Sequence, residues 1–255
     1  MLFTPMTYIG IDPTAGRRPF SYVALENDLS LLALGEGEIN EVLAFVAGQR
    51  QAYVAVCAPR QPNQGLMEQT AVRERLNPPP KPGRWRGFRV AEYLLRLHNI
   101  SCPQTGSIET DCPQWMQMGF ALFRRLQSLG YQPYPGEASL QWLEVYPHAS
   151  FSSLLGMIPF PKNSLEGRIQ RQLILYDQGL HIPDPMRLFE EITRHRLLQG
   201  ILPLDDLHEP AELDAMVAAF TAWQAANHPQ ETCLIGEAVE GQVVLPVSEL
   251  QPSYS

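Results

Sequence analysis

The sequence of 255 residues contains no apolar run near the roughly 20 residues that a membrane-spanning helix needs. Residues 1–6 also lack the basic start and the long apolar stretch of a secretory signal peptide. Both absences predict a cytoplasmic protein without membrane contact. Nothing in the sequence indicates an oligomeric state.

Cysteine is scarce, and the four thiols form no C-x-x-C pair. This usage excludes a disulfide scaffold and is typical of reduced thiols inside a cell. His98, Cys102 and Cys112 are loosely grouped, but three irregularly spaced ligands are a poor match to a structural zinc site. We therefore expect buried or surface thiols at these positions.

Basic residues are absent after Arg196, although nine acidic residues follow it, and the net charge is -8. The basic side chains concentrate instead between Arg60 and Arg96, where eight of them stand against three acids. The overall acidity argues against general nucleic-acid binding. The basic segment is compatible with a phosphate-bearing substrate, and a solvated, proline-rich loop with incidental charge is the open alternative.

The first sixty residues show a β-β-β-α-β pattern. Asn27-Asp28 favours a hairpin turn between the second and third strands, and a crossover helix then leads to a parallel strand. The predicted strands are 7–12, 20–26, 29–34 and 52–57, and the predicted helix is 38–49.

Residues 60–113 are rich in proline and have one periodic segment, a short helix near 89–97. We interpret them as an irregular arm inserted into a single domain of residues 1–255. Regular elements then return: helices 114–130, 150–156, 164–177, 185–198 and 209–226, strand 140–146, and a hairpin of 232–236 and 242–246. The pattern predicts an α/β fold: a mixed sheet flanked by helices, with a C-terminal β-hairpin.

Three acidic residues, Asp12, Glu144 and Asp214, lie at the edges of apolar segments. A buried carboxylate is costly unless something pairs with it. One divalent-cation site shared by all three would remove that cost. Each acid also has an ordinary alternative: Asp12 would start a turn before proline, Glu144 would pair with an arginine, and Asp214 would stabilise the first turn of a helix.

Several short motifs occur in an order that resembles a known family. They are Gly10-Ile11-Asp12, Leu143-Glu144-Val145-Tyr146-Pro147, Glu166-Gly167-Arg168, Asp214-Ala215, and Gly241-Gln242-Val243-Val244-Leu245-Pro246. Over about residues 7–247 the chain is similar to the domain of unknown function 429 family, whose members are predicted nucleases. The resemblance implies a ribonuclease H-like fold and a nucleic acid as substrate.

The resemblance also implies roles for particular residues. Asp12, Glu144 and Asp214 match the catalytic carboxylates that bind Mg²⁺ or Mn²⁺, and a pair of such ions can clamp a phosphodiester for hydrolysis. Basic residues that match substrate-binding positions are Arg89, Lys162 and Arg168. Supporting positions beside the metal ligands are Glu92 and Cys57.

Cys57 departs from the family pattern, because the fourth strand usually ends in Asp where this chain has Val56-Cys57-Ala58-Pro59. Magnesium prefers oxygen ligands and holds thiolates poorly, so we expect a weakened metal site. One alternative is therefore a catalytically eroded binding or scaffold protein. Another is an actin-like phosphotransferase or ATPase, although Pro13-Thr14-Ala15-Gly16 is a poor match to the glycine-rich phosphate turn of that class.

Overall fold

Eight strands form one mixed sheet in the computed structural model, which describes residues 6–14 and 19–255. The strands are β1 (Thr7–Asp12), β2 (Phe20–Leu25), β3 (Leu31–Gly37), β4 (Ala52–Val56), β5 (Gln132–Pro133), β6 (Leu140–Glu144), β7 (Cys233–Glu237) and β8 (Gly241–Leu245). Their order is β3-β2-β1-β4-β6-β8-β7, with the two-residue β5 also paired to β6.

The strand directions follow the predicted β-β-β-α-β start. β1, β2 and β3 are antiparallel neighbours, whereas β4 is parallel to β1 and β6 is parallel to β4. β7 and β8 form the predicted C-terminal hairpin, which joins the sheet through the pairing of Glu144 with Val243. The mixed α/β class is confirmed. The ribonuclease H-like assignment and the single domain with an inserted arm stay predictions.

Nine helices surround this sheet in the part of the chain that the structure describes. They are α1 (Ile39–Ala47), α2 (Thr70–Glu74), α3 (Val90–Leu97), α4 (Gln114–Ser128), α5 (Pro147–Leu155), α6 (Leu165–Asp177), α7 (Arg187–Glu191), α8 (Arg194–Leu198) and α9 (Pro210–Asn227). Among these described helices, none has the length and apolar character needed to cross a bilayer.

The two faces of the sheet carry different helices. α9 packs on β1, β2 and β4, and a Cβ on Gly10 would lie 1.9 Å from the carbonyl oxygen of Ala215. Glycine at position 10 is therefore what allows α9 to approach β1 so closely. The other face packs on α1 and α4, where Ile11 and Val56 belong to a shared apolar core. Side chains that alternate along one strand thus meet different helices.

Several predicted elements have other bounds in the structure, among them β3, which covers Leu31–Gly37 where 29–34 was predicted. The helix predicted over 185–198 is divided into α7 and α8, because Ile192 is extended and the Thr193 side chain accepts a hydrogen bond from the Arg196 amide as a new N-cap. α5 begins at Pro147, three residues earlier than predicted, since proline suits a first helical turn.

Residues 60–113 contain more order than predicted, because α2 precedes the expected helix α3. Met67, Val72, Val90 and Tyr93 form a small apolar core within this segment. Residues 1–5, which bear on the signal-peptide prediction, and residues 15–16 of the predicted turn lie outside the described residues.

Candidate carboxylate site

Asp12 and Asp214 lie close together, as the sequence predicts. Asp12 ends β1, Asp214 lies in the second turn of α9, and both line a cleft of about 940 Å³. Burial, together with the negative charge of Asp214, raises the pKa of Asp12 from 3.8 to about 7. The Thr14 amide donates to Asp12 Oδ1 over 2.9 Å and opposes this rise only partly. The carboxyl group of Asp12 is therefore only partly ionised near neutral pH.

Lys162 lies beside this pair, with Nζ 2.6 Å from Asp214 Oδ2. Burial acts to lower the pKa of Lys162, but the attraction of Asp214 and of Asp12 outweighs it, so the net pKa is raised. The ammonium group is therefore charged at neutral pH. Its side chain is 49% exposed, so it reaches both the carboxylates and the solvent in the cleft.

Cys57 follows β4 and lies next to the same carboxylates. Its Sγ donates a hydrogen bond to the backbone oxygen of Asp214 over 3.4 Å. Burial raises the pKa of this thiol well above its usual value, and the charges of Asp12 and Asp214 add to the rise. The thiol is therefore protonated, and it offers no negative ligand to the site.

Glu144 does not join Asp12 and Asp214, which differs from the expected convergence of three acids. The register pairs Ile11 with Val56 and Val56 with Glu144, so these three side chains point to the face of α1 and α4. Asp12 comes one residue after Ile11, and its side chain points to the face of α9. Because side chains alternate between the two faces of the sheet, Glu144 and Asp12 lie on opposite faces.

Glu144 pairs with Arg89 instead, and this was the ordinary alternative for that residue. Arg89 Nη2 lies 2.7 Å from Glu144 Oε1, and the two side chains are 1% and 5% exposed. The Arg60 amide donates to the other carboxylate oxygen over 3.1 Å, and Arg89 also donates to the Gly241 carbonyl. Arg89 is therefore buried and engaged with protein groups, and it does not reach the cleft as a phosphate ligand would.

Two further buried acids surround Arg89. Glu92 accepts hydrogen bonds from the amides of Arg89 and Thr105, and Glu240 accepts from the amide of Val90 over 2.8 Å. The bonds from Arg89 and Val90 satisfy amides at the start of α3, which have no partner inside the helix. We call Arg89, Glu92, Glu144 and Glu240 the Arg89 cluster. It fastens residues 60–113 to β6 and to the C-terminal hairpin.

Arg168 lies outside the cleft and holds the segment before α9. Its guanidinium donates to the carbonyls of Leu207 and His208 and forms an ion pair with Glu209 at 3.1 Å. Arg171, one turn later on α6, lines the cleft instead and is 3% exposed. Of these two arginines, only Arg171 lines the cleft.

Aromatic and imidazole side chains that the sequence analysis did not single out also line the cleft. They are Trp115, Tyr146, His148 and Phe160. Burial and the nearby Arg171 lower the pKa of His148, so its ring is neutral at physiological pH. The sequence gives one signal for these cleft-lining side chains: an aromatic residue between prolines, Pro159-Phe160-Pro161, directly before Lys162.

The two carboxylates of Asp12 and Asp214 are a donor set that one hard divalent cation accepts. Within the described ranges, no three His, Cys, Asp or Glu side chains are grouped so that they could hold a metal ion. Magnesium, however, is commonly held by one or two carboxylates while it keeps several waters. Burial first, and the charge of Asp214 second, disfavour the ionised form of Asp12, and a cation held by these two carboxylates would stabilise that form.

Comparison with known proteins gives one family. A family model described as "Protein of unknown function (DUF429)" matches residues 102–239, which is more than half of the chain. The matched region includes Glu144, Lys162 and Asp214, whereas Asp12 and Cys57 precede it. Curated proteins and solved structures give no significant match.

Proposed function

We propose that this chain, which belongs to the DUF429 family, is a divalent-metal-dependent hydrolase of phosphodiester bonds in nucleic acid. The observation that carries the proposal is that Asp12 and Asp214, which interact electrostatically, both line one large cleft. Their places at the end of the opening strand and on a late helix support the ribonuclease H-like assignment that the resemblance implies.

The carboxylates of Asp12 and Asp214 hold the ion in this proposal. Mg²⁺ or Mn²⁺, when bound, polarises a phosphate oxygen and lowers the pKa of water in its shell. Lys162 is already charged and half exposed beside Asp214, so its ammonium group is placed to neutralise a phosphate oxygen of the substrate.

Glu144 does not bind the ion in this proposal. With Arg89 it anchors residues 60–113, and that segment supplies Ser101 and Pro103 to the lining of the cleft. The structure thus favours a site for one ion with two carboxylate ligands, in place of a two-ion clamp with three.

The test is cleavage of labelled RNA and DNA, each as single and double strands, with Mg²⁺, with Mn²⁺ and with a chelator. We expect cleavage only with metal, and a loss of at least about 100-fold in Asp12→Asn, because the site would lose an anionic ligand. Asp28→Asn is the matched control, since Asp28 is an exposed acid that hydrogen-bonds only within its own turn. Cleavage that survives the chelator or Asp12→Asn, or no cleavage of any substrate, contradicts the proposal.

A second candidate, a binding protein with an eroded catalytic site, is favoured by the protonated Cys57 thiol and by the bond between Lys162 and Asp214. This candidate predicts that the wild type cleaves nothing while Cys57→Asp, which restores the usual acid, gains metal-dependent cleavage. Cys57→Asn is the control of similar shape without the charge. Activity in the wild type that Cys57→Asp leaves unchanged removes this candidate.

A further inference from the structure

We propose that the cleft binds single-stranded nucleic acid through its bases, with the ring of Phe160 as the stacking platform. This inference rests on the proposed function, because it names the form of nucleic acid that the same site accepts. It follows from the charge of the cleft and from the way in which Phe160 is held.

The described lining of the cleft carries more negative than positive charge. Its acidic, lysine and arginine side chains are four acids, of which Asp12 is only partly ionised near neutral pH, and two bases: Asp12, Glu36, Glu209, Asp214, Lys162 and Arg171. Most proteins bind nucleic acid through Lys and Arg on the phosphates, and in the described lining these residues are outnumbered by acids. Contact with the bases is a source of affinity that does not depend on this charge.

Phe160 lines the cleft and is 55% exposed. Its backbone is nevertheless fixed on both sides, because its amide donates to Gln170 Oε1 over 2.7 Å and its carbonyl accepts from Arg171 Nη1 over 2.7 Å. Arg171 is itself buried, with its guanidinium 5.3 Å from the ring centroid of Phe151. An exposed aromatic side chain on an immobilised backbone loses little entropy when a ligand stacks on it.

The neighbours of Phe160 add to this rigidity. Pro159 and Pro161 restrict the backbone on either side. A Cβ on Gly167 would lie 2.0 Å from the Pro161 carbonyl oxygen, so glycine allows α6 to pack directly against this loop. Lys162 follows two residues after Phe160, a span of at most about 7 Å between Cα atoms. One nucleotide can therefore place its base on Phe160 and its phosphate near Lys162.

This arrangement selects single strands over duplexes. In a duplex both faces of each base are covered by neighbouring base pairs, whereas an unpaired base offers a free face to an aromatic ring. The cleft volume of about 940 Å³ also lies within the size range of small-ligand pockets. It accommodates a few nucleotides of a single strand.

The test measures fluorescence anisotropy of a labelled 12-nucleotide oligothymidylate and of the matching duplex, in Mg²⁺ and in a chelator. Cleavage is scored separately on the same samples. We expect the single strand to bind tighter than the duplex, and Phe160→Ala to weaken single-strand binding about tenfold, since a stacked base typically contributes this much or more. Phe160→Tyr, which keeps a ring, should stay within about twofold of the wild type.

Phe189→Ala is the matched control, because Phe189 is also 55% exposed but does not line the cleft. The inference is overturned if Phe160→Ala and Phe189→Ala bind alike, if the duplex binds as tightly as the single strand, or if neither binds. Ring-dependent binding without any cleavage supports the inference and rejects the hydrolase. Cleavage that Phe160→Ala leaves unchanged supports the hydrolase and rejects the stacking role of Phe160.

Discussion

Two of the Arg–Glu ion pairs between described residues have similar lengths but different surroundings, and their removal should have very different effects. Arg89 and Glu144 are 2.7 Å apart and almost fully buried, whereas Arg124 and Glu109 are 2.9 Å apart with 59% and 38% of their side chains exposed. Arg89→Met keeps most of the side-chain volume and removes the charge. Arg124→Met makes the same change at the exposed pair.

The expected magnitude for Arg89→Met is a loss of about 3–5 kcal/mol in the free energy of unfolding. The variant leaves Glu144 buried with one remaining hydrogen bond, from the Arg60 amide, and an uncompensated buried charge has this cost. Arg124→Met should lose less than about 1 kcal/mol, because water and salt screen an exposed pair.

Urea denaturation at pH 7 measures both changes, and thermal denaturation should show a decrease of about 10 °C in the Tm of Arg89→Met. The double variant Arg89→Met/Glu144→Met should be more stable than Arg89→Met alone, because the buried charge has also been removed. Equal losses in Arg89→Met and Arg124→Met, or a double variant that shows the plain sum of two losses, would refute the reasoning.

Two further predictions concern β1. Gly10→Ala should lower the free energy of unfolding by about 3 kcal/mol, because the new Cβ would lie 1.9 Å from the Ala215 carbonyl oxygen. Gly48→Ala is the control, since its Cβ would meet no atom closer than 3.4 Å. In the same thermal melts it should stay within about 1 kcal/mol of the wild type. Asp12→Asn should stabilise the metal-free protein most at pH 7 and above, with the advantage vanishing towards pH 4. The reason is that burial and Asp214 raise the pKa of Asp12 from 3.8 to about 7, so the wild type loses stability as the pH rises through this window. If the difference in free energy of unfolding between Asp12→Asn and the wild type did not depend on pH, this reasoning would be contradicted.

Much of the fold follows from local patterns. The first four strands and α1 were predicted because apolar runs end at clear turn residues such as Asn27-Asp28 and Pro59. β5 was missed because two residues carry no periodic signal. The division between α7 and α8 was missed because the apolar pattern continues through the extended Ile192.

The site was predictable only in part. Asp12 and Asp214 meet because an opening strand and a late helix pack together, which the resemblance implied. The position of Glu144 depends on register, since a shift of one residue moves a side chain to the opposite face of the sheet. The sequence shows that Leu143 and Val145 alternate with Glu144, but the pairing of Glu144 with Val56 fixes which face it takes.

Long-range contacts account for the remaining differences. Glu240 lies in the turn of the C-terminal hairpin, but its side chain is fully buried and accepts a hydrogen bond from the amide of Val90, 150 positions earlier in the chain. Arg89 was expected to bind substrate, and the same C-terminal hairpin covers it through the carbonyl of Gly241. No local pattern encodes contacts at this separation.

Calorimetric titration of Mn²⁺ into the metal-free protein tests the carboxylate pair most directly. We predict one bound ion per chain in the wild type and in Glu144→Gln, and no binding in Asp12→Asn or Asp214→Asn. Two ions per chain, loss of the ion in a folded Glu144→Gln, or no binding to the wild type at millimolar Mn²⁺ would contradict the assignment of the site to Asp12 and Asp214.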